Sequence, residues 1–317
     1  MAQRGSARRH RIPRRAARGV PIATAAAVAL TFVLILAGGN GVSPALYLAL
    51  GDSLAVGVQP GVGGQEIETP AGYTDQLERR FRAQVPGIRR VALGCPGETT
   101  TSLLTGAGDT ATARIYHCDR TGGSQLAAAL AVIHRDPAAV RVITIDIGAN
   151  DLFGCVAAAT IVRGLRAVSA CLGQGLRAVS VNLPRILGAL RSAGPQVPIA
   201  AMTIYDPFLI GLRSRNPTLA AIARLSLAAI SRLNEGIAAI DGRNGVRTAN
   251  VAARFGGSGL RLGRADPERG ARRAVAALCV DTHVCATTPN VHPTALGYRR
   301  IAAAFLAVLP RLSDGRH

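Results

Sequence analysis

Four residues of types that cooperate in nucleophilic catalysis lie far apart in this sequence, each at the end of an apolar run or in a loop. Ser53 follows the run in "LYLALGDSL", and Asn150 follows the run in "VITIDIGAND". Gly97 lies in "GCPGETT" and His292 in "VHPTALGY". A serine nucleophile needs a base for its Oγ proton, N–H donors for an oxyanion, and a group that orients the base. These four residues meet the first two needs.

Each of the four also has a purely structural interpretation. Ser53 is of a type favoured as the N-cap of a following helix, and Asn150 with Asp151 suits the same role. Gly97 can serve as a turn glycine alone, and a single histidine before a proline is more often structural. Their joint arrangement favours chemistry, because all four lie at one edge of the same predicted sheet.

That sheet is predicted from short apolar runs that alternate with helical patterns. We expect strands at 46–50, 89–94, 140–148, 197–206 and 245–251, and helices at 71–84, 123–134, 177–193, 217–240 and after His292, with Pro293 in the first turn of the last helix. Such alternation is typical of a mostly parallel sheet covered by helices on both faces. Ligands bind beyond the carboxyl ends of its strands. The Gly/Arg-rich stretch 254–273 is expected to be a surface loop.

The six cysteines fall into three pairs that are close in sequence: Cys95 with Cys118, Cys155 with Cys171, and Cys279 with Cys285. Six cysteines allow 15 pairings, and we predict these three as disulfides. No C-x-x-C or Cys/His cluster with metal-ligand spacing supports a metal site. Each bridge is expected to brace one loop of the site.

The N-terminus predicts export. Residues 1–18 hold seven arginines and no acidic residue, and an apolar segment follows at 20–37. This layout is that of a signal peptide, cleavable after Gly39, or of an uncleaved membrane anchor with its positive end in the cytoplasm. The net charge of +19 is not arranged as a basic stripe with aromatics, which argues against nucleic-acid binding.

Four ordered blocks resemble the SGNH, or GDSL, hydrolase family: Gly51-Asp52-Ser53-Leu54, Gly97, Gly148-Ala149-Asn150-Asp151 and His292-Pro293. The resemblance spans about residues 46–310. It implies a flavodoxin-like three-layer α/β/α sandwich with a mostly parallel sheet, and ester hydrolysis through an acyl-enzyme without metal or cofactor. Ser53 would be the nucleophile and His292 the base. The backbone N–H groups of Ser53 and Gly97 and the side-chain amide of Asn150 would form the oxyanion hole.

One position departs from the family pattern. The family usually has an aspartate three residues before the histidine, and this chain has Pro289 there, followed by Asn290. No carboxylate occurs between Asp281 and His292. Either a backbone carbonyl at 289–290 orients the imidazole, giving a Ser-His dyad, or Asp281 reaches it from a distance. We favour the carbonyl, because Asp281 lies within a predicted disulfide loop.

We therefore predict that residues 1–39 are the targeting segment and that 40–317 form an SGNH hydrolase domain, a monomeric serine esterase or lipase. It is expected to be secreted or anchored outside the cytoplasm and to act on a small-molecule or lipid ester. The aromatic content of 3% gives little basis for sugar stacking and favours acyl esters over acetylated polysaccharide. Two alternatives stay open: a catalytically weak, anchored module that binds acyl groups, as the missing acid suggests, and an acyltransferase with a cell-envelope acceptor.

Overall fold

The structure is a computed structural model that describes residues 44–107, 118, 123–257 and 267–313. Its strands are β1 (Leu46–Gly51), β2 (Val58–Pro60), β3 (Glu66–Glu68), β4 (Arg89–Ala92), β5 (Val140–Asp146), β6 (Ile199–Met202) and β7 (Arg247–Ala249). Five of them form a parallel sheet in the order β4-β1-β5-β6-β7, and β2 and β3 pair as an antiparallel hairpin. Without the hairpin, the order is 2-1-3-4-5, as in flavodoxin.

Helices flank this sheet and complete the predicted three-layer α/β/α fold. In the described residues they are α1 (Ser53–Val56), α2 (Tyr73–Arg82), α3 (Thr100–Thr105), α4 (Gln125–Arg135), α5 (Asn150–Phe153), α6 (Ala158–Ile161), α7 (Leu165–Ala193), α8 (Pro217–Arg243), α9 (Val251–Arg254), α10 (Pro267–Asp281) and α11 (Ala295–Leu306), with 3₁₀ turns at Gly154–Val156 and Pro207–Arg213. α2 packs with α11, where the rings of Tyr73 and Phe305 stack with centroids 4.9 Å apart. α7 packs with α4 and α8.

The two central strands, β1 and β5, are buried along nearly their whole length. Leu48 of β1 is paired with Ile143 of β5, and both are fully buried. Strands covered by helices on both faces carry apolar side chains on both faces, which is why these two runs show no alternation in the sequence.

All five predicted strands are present, and the main difference in the helices is α7. It begins at Leu165 instead of 177, because the glycines at 173 and 175 interrupt the helical pattern in the sequence. A Cβ on Gly175 would lie 2.1 Å from the carbonyl oxygen of Asp151. This glycine therefore permits close packing of α5 against α7 and does not end the helix.

Two smaller expectations are corrected. The last helix begins at Ala295 with Thr294 as its N-cap, so Pro293 precedes the cap and does not lie in the first turn. α10 begins at Pro267, so the C-terminal part of the predicted surface loop is helical. The residues at 258–266 lie outside those that the structure describes.

Three observations bear on the compartment of the chain. The predicted targeting segment at 1–39 lies outside the described residues, and no described helix has the length and apolar character needed to cross a membrane. The predicted disulfides are confirmed, with S–S distances of 1.98 Å for Cys95–Cys118, 2.01 Å for Cys155–Cys171 and 1.90 Å for Cys279–Cys285. Disulfides form and persist in oxidising environments, which supports a location outside the cytoplasm.

Candidate active site

A cavity of about 350 Å³ opens where β4, β1 and β5 end. All four residues with predicted catalytic or oxyanion roles, Ser53, Gly97, Asn150 and His292, line it. The other lining residues are Asp52, Leu54, Glu66, Pro96, Ala149, Phe153, Val156, Ala157, Ile204, Tyr205, Phe208 and Val291. The fold thus brings four distant sequence blocks to a single concave surface. Among the described residues, no group of three or more His, Cys, Asp or Glu has metal-binding geometry.

Ser53 is the first residue of α1 and is half-buried. The N-cap of this helix is Asp52, whose Oδ1 accepts the N–H of Leu54 at 2.9 Å. The interpretation of Ser53 as a capping residue is therefore wrong. The first N–H groups of a helix have no acceptor within that helix, so the backbone N–H of Ser53 is of the kind that can bind an oxyanion.

Gly97 lies in a tight turn that follows β4. The turn is closed by a hydrogen bond of 3.1 Å from the N–H of Glu98 to the carbonyl of Cys95. Pro96 at its second position and Gly97, with φ 76°, at its third are the signature of a type II turn. A Cβ at Gly97 would meet no atom within 4 Å, so the backbone conformation and not the space requires glycine. The disulfide between Cys95 and Cys118 links this turn covalently to a residue 23 positions later in the chain.

Asn150 is the first residue of α5, and its side chain is fixed by two acceptors. The Nδ2 group donates to the carbonyl of Glu98 at 3.0 Å and to Asp52 Oδ2 at 3.2 Å. The N-cap position belongs to Ala149, which makes no side-chain capping bond. Asn150 is therefore held as a donor on the cavity wall, where an oxyanion would compete with the longer contact to Asp52.

His292 is buried, and its Nδ1 faces two oxygen atoms from other side chains. Asn290 Oδ1 lies 2.8 Å from Nδ1, and Glu66 Oε1 lies 3.2 Å from it. Asn290 Oδ1 also accepts the backbone N–H of His292 at 2.9 Å, and Asn290 Nδ2 donates to Glu66 Oε1 at 3.0 Å. Acceptors at Nδ1 favour the tautomer that is protonated there, which leaves Nε2 free to take a proton.

These contacts differ from the two expected for the imidazole. Its partner in the 289–290 segment is the side-chain oxygen of Asn290, whereas a backbone carbonyl was expected there, and Pro289 is exposed. Asp281 does not serve His292, because its Oδ2 lies 2.9 Å from Arg300 Nη1.

The sequence interpretation missed Glu66. This residue begins β3 and reaches the site from the opposite end of the chain. A glycine-containing loop between two short segments is the pattern of a hairpin, and "GVGGQ" before Glu66 was the available signal. The hydrogen bond with His292 lowers the pKa of Glu66, with burial opposing it, so this carboxylate is ionised at neutral pH.

Two buried carboxyl groups, those of Asp52 and Asp146, lie next to Ser53. Asp52 and Asp146 are almost fully buried and share a side-chain hydrogen bond. The hydroxyl of Tyr73 donates to Asp146 Oδ1 at 2.5 Å, and the N–H of Asp52 donates to Asp146 Oδ2 at 3.2 Å. Burial, together with the charge of Asp52, raises the pKa of Asp146 well above its ordinary value. The raised pKa favours the protonated form of Asp146, whose carboxyl group can then donate a hydrogen bond.

Much of the remaining cavity lining is apolar. Phe153 and Phe208 meet edge to face with their centroids 5.1 Å apart, and Leu54, Ile204 and Val291 line the same space. Ligand sites of about 300–1,000 Å³ commonly combine such walls with a few placed polar groups.

Comparisons with known proteins identify the family and the fold of this chain. The family model for GDSL-like lipases and acylhydrolases matches residues 49–300. The extracellular lipase from Streptomyces rimosus has a similar structure, with 19% identity and a TM-score of 0.52 over 83% of this chain and 99% of that one. Phospholipase A1 from Streptomyces albidoflavus NA297 is similar at 17% identity and a TM-score of 0.52, over 84% of this chain and 100% of that one. No match is found among curated proteins. The family match spans most of the sequence, so the chain belongs to the GDSL-like lipase/acylhydrolase family.

Proposed function

We propose that this protein hydrolyses carboxylic esters with apolar acyl groups through a covalent acyl-enzyme on Ser53. One observation carries the proposal: Ser53, Gly97, Asn150 and His292 line the same cavity, and much of its other lining is apolar. Membership of the GDSL-like lipase/acylhydrolase family supports ester hydrolysis in general. The nucleophile, the base and the acyl preference are the proposed part.

In the first half of the reaction, Ser53 Oγ attacks the ester carbonyl carbon while His292 Nε2 takes the Oγ proton. The carbonyl oxygen becomes an oxyanion, which the N–H groups of Ser53 and Gly97 and the amide of Asn150 stabilise. The C–O bond to the alcohol then breaks, and the imidazolium of His292 returns the proton to the leaving oxygen. The acyl group stays on Ser53 as an ester.

In the second half, water takes the place of the alcohol. His292 Nε2 removes a proton from the water as its oxygen attacks the acyl carbon, and the same donors bind the second oxyanion. Collapse releases the carboxylic acid and returns the proton to Ser53 Oγ. Donors aimed at a developing oxyanion matter because the loss of one typically costs about 10²- to 10³-fold in turnover.

The apolar wall supports an acyl chain as the group bound in the cavity. Phe153 and Phe208 form an aromatic edge-to-face pair, and burial of a hydrocarbon chain against such surface contributes about 25 cal/mol per Å². The two similar structures are a lipase and a phospholipase A1, so lipid esters are our preferred substrate class. The disulfides and the targeting segment predicted at 1–39 support action outside the cytoplasm, either secreted or anchored.

Two other functions are compatible with this cavity. A weak binding module was suggested by the absence of an acid at position 289, and a carboxylate 3.2 Å from His292 Nδ1 weakens that argument. Acyl transfer to a cell-envelope acceptor uses the same acyl-enzyme, and the two reactions differ only in the nucleophile of the second half.

The test compares the oxidised full chain with its Ser53→Ala variant on p-nitrophenyl esters from C2 to C16. We expect turnover to fall by about 10⁴-fold or more in the variant, and medium-length or long chains to be preferred. Ser180→Ala is the matched control, because its Oγ bonds the carbonyl of Arg177 on the exposed surface of α7. A serine-directed phosphonate should label Ser53. A folded protein with neither ester turnover nor label would refute the proposal and favour the binding module.

A further inference from the structure

We propose that Glu66 is the positioning acid of this site and supplies to His292 the negative charge that the chain lacks at position 289. The inference rests on the proposed function and assigns a role to a residue outside the four family blocks. Glu66 Oε1 lies 3.2 Å from His292 Nδ1, which places a carboxylate on the side of the imidazole away from the proton transfer. The hairpin β2–β3 thus completes the catalytic group.

The hairpin is attached to the segment that carries His292, so this contact does not depend on the Glu66 side chain alone. Gln59 Nε2, on β2, donates to the carbonyl of Pro293 at 3.0 Å. The hydroxyl of Tyr298, at the start of α11, donates to the carbonyl of Val58 at 2.7 Å and is fully buried. Both bonds join β2 to the chain that follows His292, and β3 pairs with β2.

Asn290 and Glu66 both accept a hydrogen bond at His292 Nδ1, but they differ in charge. Asn290 Oδ1 is a neutral acceptor, and it holds the ring in place through its bonds to Nδ1 and to the backbone N–H of His292. Of these two residues, only Glu66 carries a charge that stabilises the imidazolium formed when His292 takes the serine proton. The bond from Asn290 Nδ2 to Glu66 Oε1 keeps the carboxylate in position, so Asn290 serves as the link between acid and base.

The expected loss of kcat in Glu66→Gln depends on how exposed the Glu66 carboxylate is to solvent. The Glu66 side chain is 41% exposed, and solvent weakens a charge pair in such a position. Loss of a buried triad aspartate lowers turnover by about 10⁴-fold. For Glu66→Gln we expect a smaller loss of about 10- to 100-fold in kcat, because glutamine and Asn290 still accept the Nδ1 proton.

Two other titratable groups act on the imidazole. Asp52 precedes Ser53 in the chain and interacts with Asp146. His283 accepts the N–H of Asn290 through its backbone carbonyl. Both groups are unchanged in Glu66→Gln. A difference between the variant and the wild type therefore reports the Glu66 charge.

The experiment measures kcat and KM of the full oxidised protein and its Glu66→Gln variant. We expect kcat to fall and KM to change little, because the missing charge acts on the imidazolium formed during the reaction and not on the bound substrate. Glu66→Asp should recover part of kcat. Glu235→Gln, which removes an exposed carboxylate on α8 away from the cavity, should behave as the wild type.

A charge effect is separated from a structural one, and from failure of the proposed function, by two further readouts. The NMR signal of the His292 Nδ1 proton should move in Glu66→Gln relative to the wild type, whether or not any ester is hydrolysed, because that proton loses a carboxylate neighbour. Phosphonate labelling of Ser53 tests the nucleophile independently of Glu66. An unchanged Nδ1 proton signal and an unchanged kcat in folded Glu66→Gln would overturn the assignment, as would an equal loss of kcat in Glu235→Gln.

Discussion

Relative to the wild type at the same pH, Asp146→Asn is expected to gain stability as the pH rises. Its ester turnover is expected to stay near that of the wild type. The Asp146 side chain meets the Tyr73 hydroxyl and the backbone and carboxylate of Asp52. An asparagine has the same shape as the protonated acid, and its Nδ2 can donate to Asp52 as the acid proton does. Asp52 then still accepts from Asn150, so the predicted oxyanion donor keeps its position. The substitution removes the 3.2 Å hydrogen bond from the N–H of Asp52 to Asp146 Oδ2, because Nδ2 takes the place of that acceptor. The resulting loss of stability does not depend on pH.

The sign follows from the raised pKa of Asp146, which burial and then the charge of Asp52 produce. The folded protein holds a proton that the unfolded chain releases above about pH 4. The wild-type free energy of unfolding therefore falls as the pH rises towards the folded-state pKa, by up to about 1.4 kcal/mol per pH unit. Asp146→Asn lacks this proton. Between pH 6 and 8 its advantage over the wild type should grow by up to about 2.7 kcal/mol.

The assay is urea unfolding of the oxidised proteins at pH 6, 7 and 8. It is followed by far-UV circular dichroism, because the chain has no tryptophan. Burial raises the pKa of Asp206 and of Asp241 to about 7, and both groups titrate equally in the two proteins, so they cancel in the difference. A difference that stays constant from pH 6 to 8 would refute the shared proton. A loss of turnover above about tenfold would refute the claim that Asp146 acts as a neutral donor.

Gly97→Ala should strain the type II turn by about 1–2 kcal/mol and lower kcat. The matched control is Gly87→Ala, because Gly87 also has a positive φ, of 88°, and open space around it but does not line the cavity. This control should show the strain without the loss of turnover. Equal kinetics of the two variants would argue against an oxyanion role for the Gly97 N–H. Removing the Cys155–Cys171 bridge by a double change to serine should lower the free energy of unfolding by about 3 kcal/mol, as expected for a loop of 16 residues. Turnover should also fall at assay temperatures where the variant is still folded, because Phe153 and Val156 beside this bridge line the cavity. Full activity of the folded variant would contradict the bracing role.

The secondary structure could be predicted where one local rule applied. β5 was recognisable because both of its faces are covered, which requires a continuous run of apolar residues. Its neighbour in the chain, α5, was not, because a four-residue helix has too few positions to show a period. The start of α7 was misplaced because Gly175 weakens the helical pattern, although its missing side chain makes room for Asp151.

The sequence by itself determined the α/β fold class, the three disulfide pairs and four of the residues that line the cavity: Ser53, Gly97, Asn150 and His292. These features depend on residue type, short spacing or the ends of apolar runs, all of which are local. Only the tertiary structure decided what orients His292, because the backbone path of the β2–β3 hairpin brings Glu66 across the fold to Nδ1. It also decided that Asp146 meets Asp52 and Tyr73 in a site from which water is excluded. Burial and charge proximity arise when separate elements pack together, so no single stretch of sequence contains them.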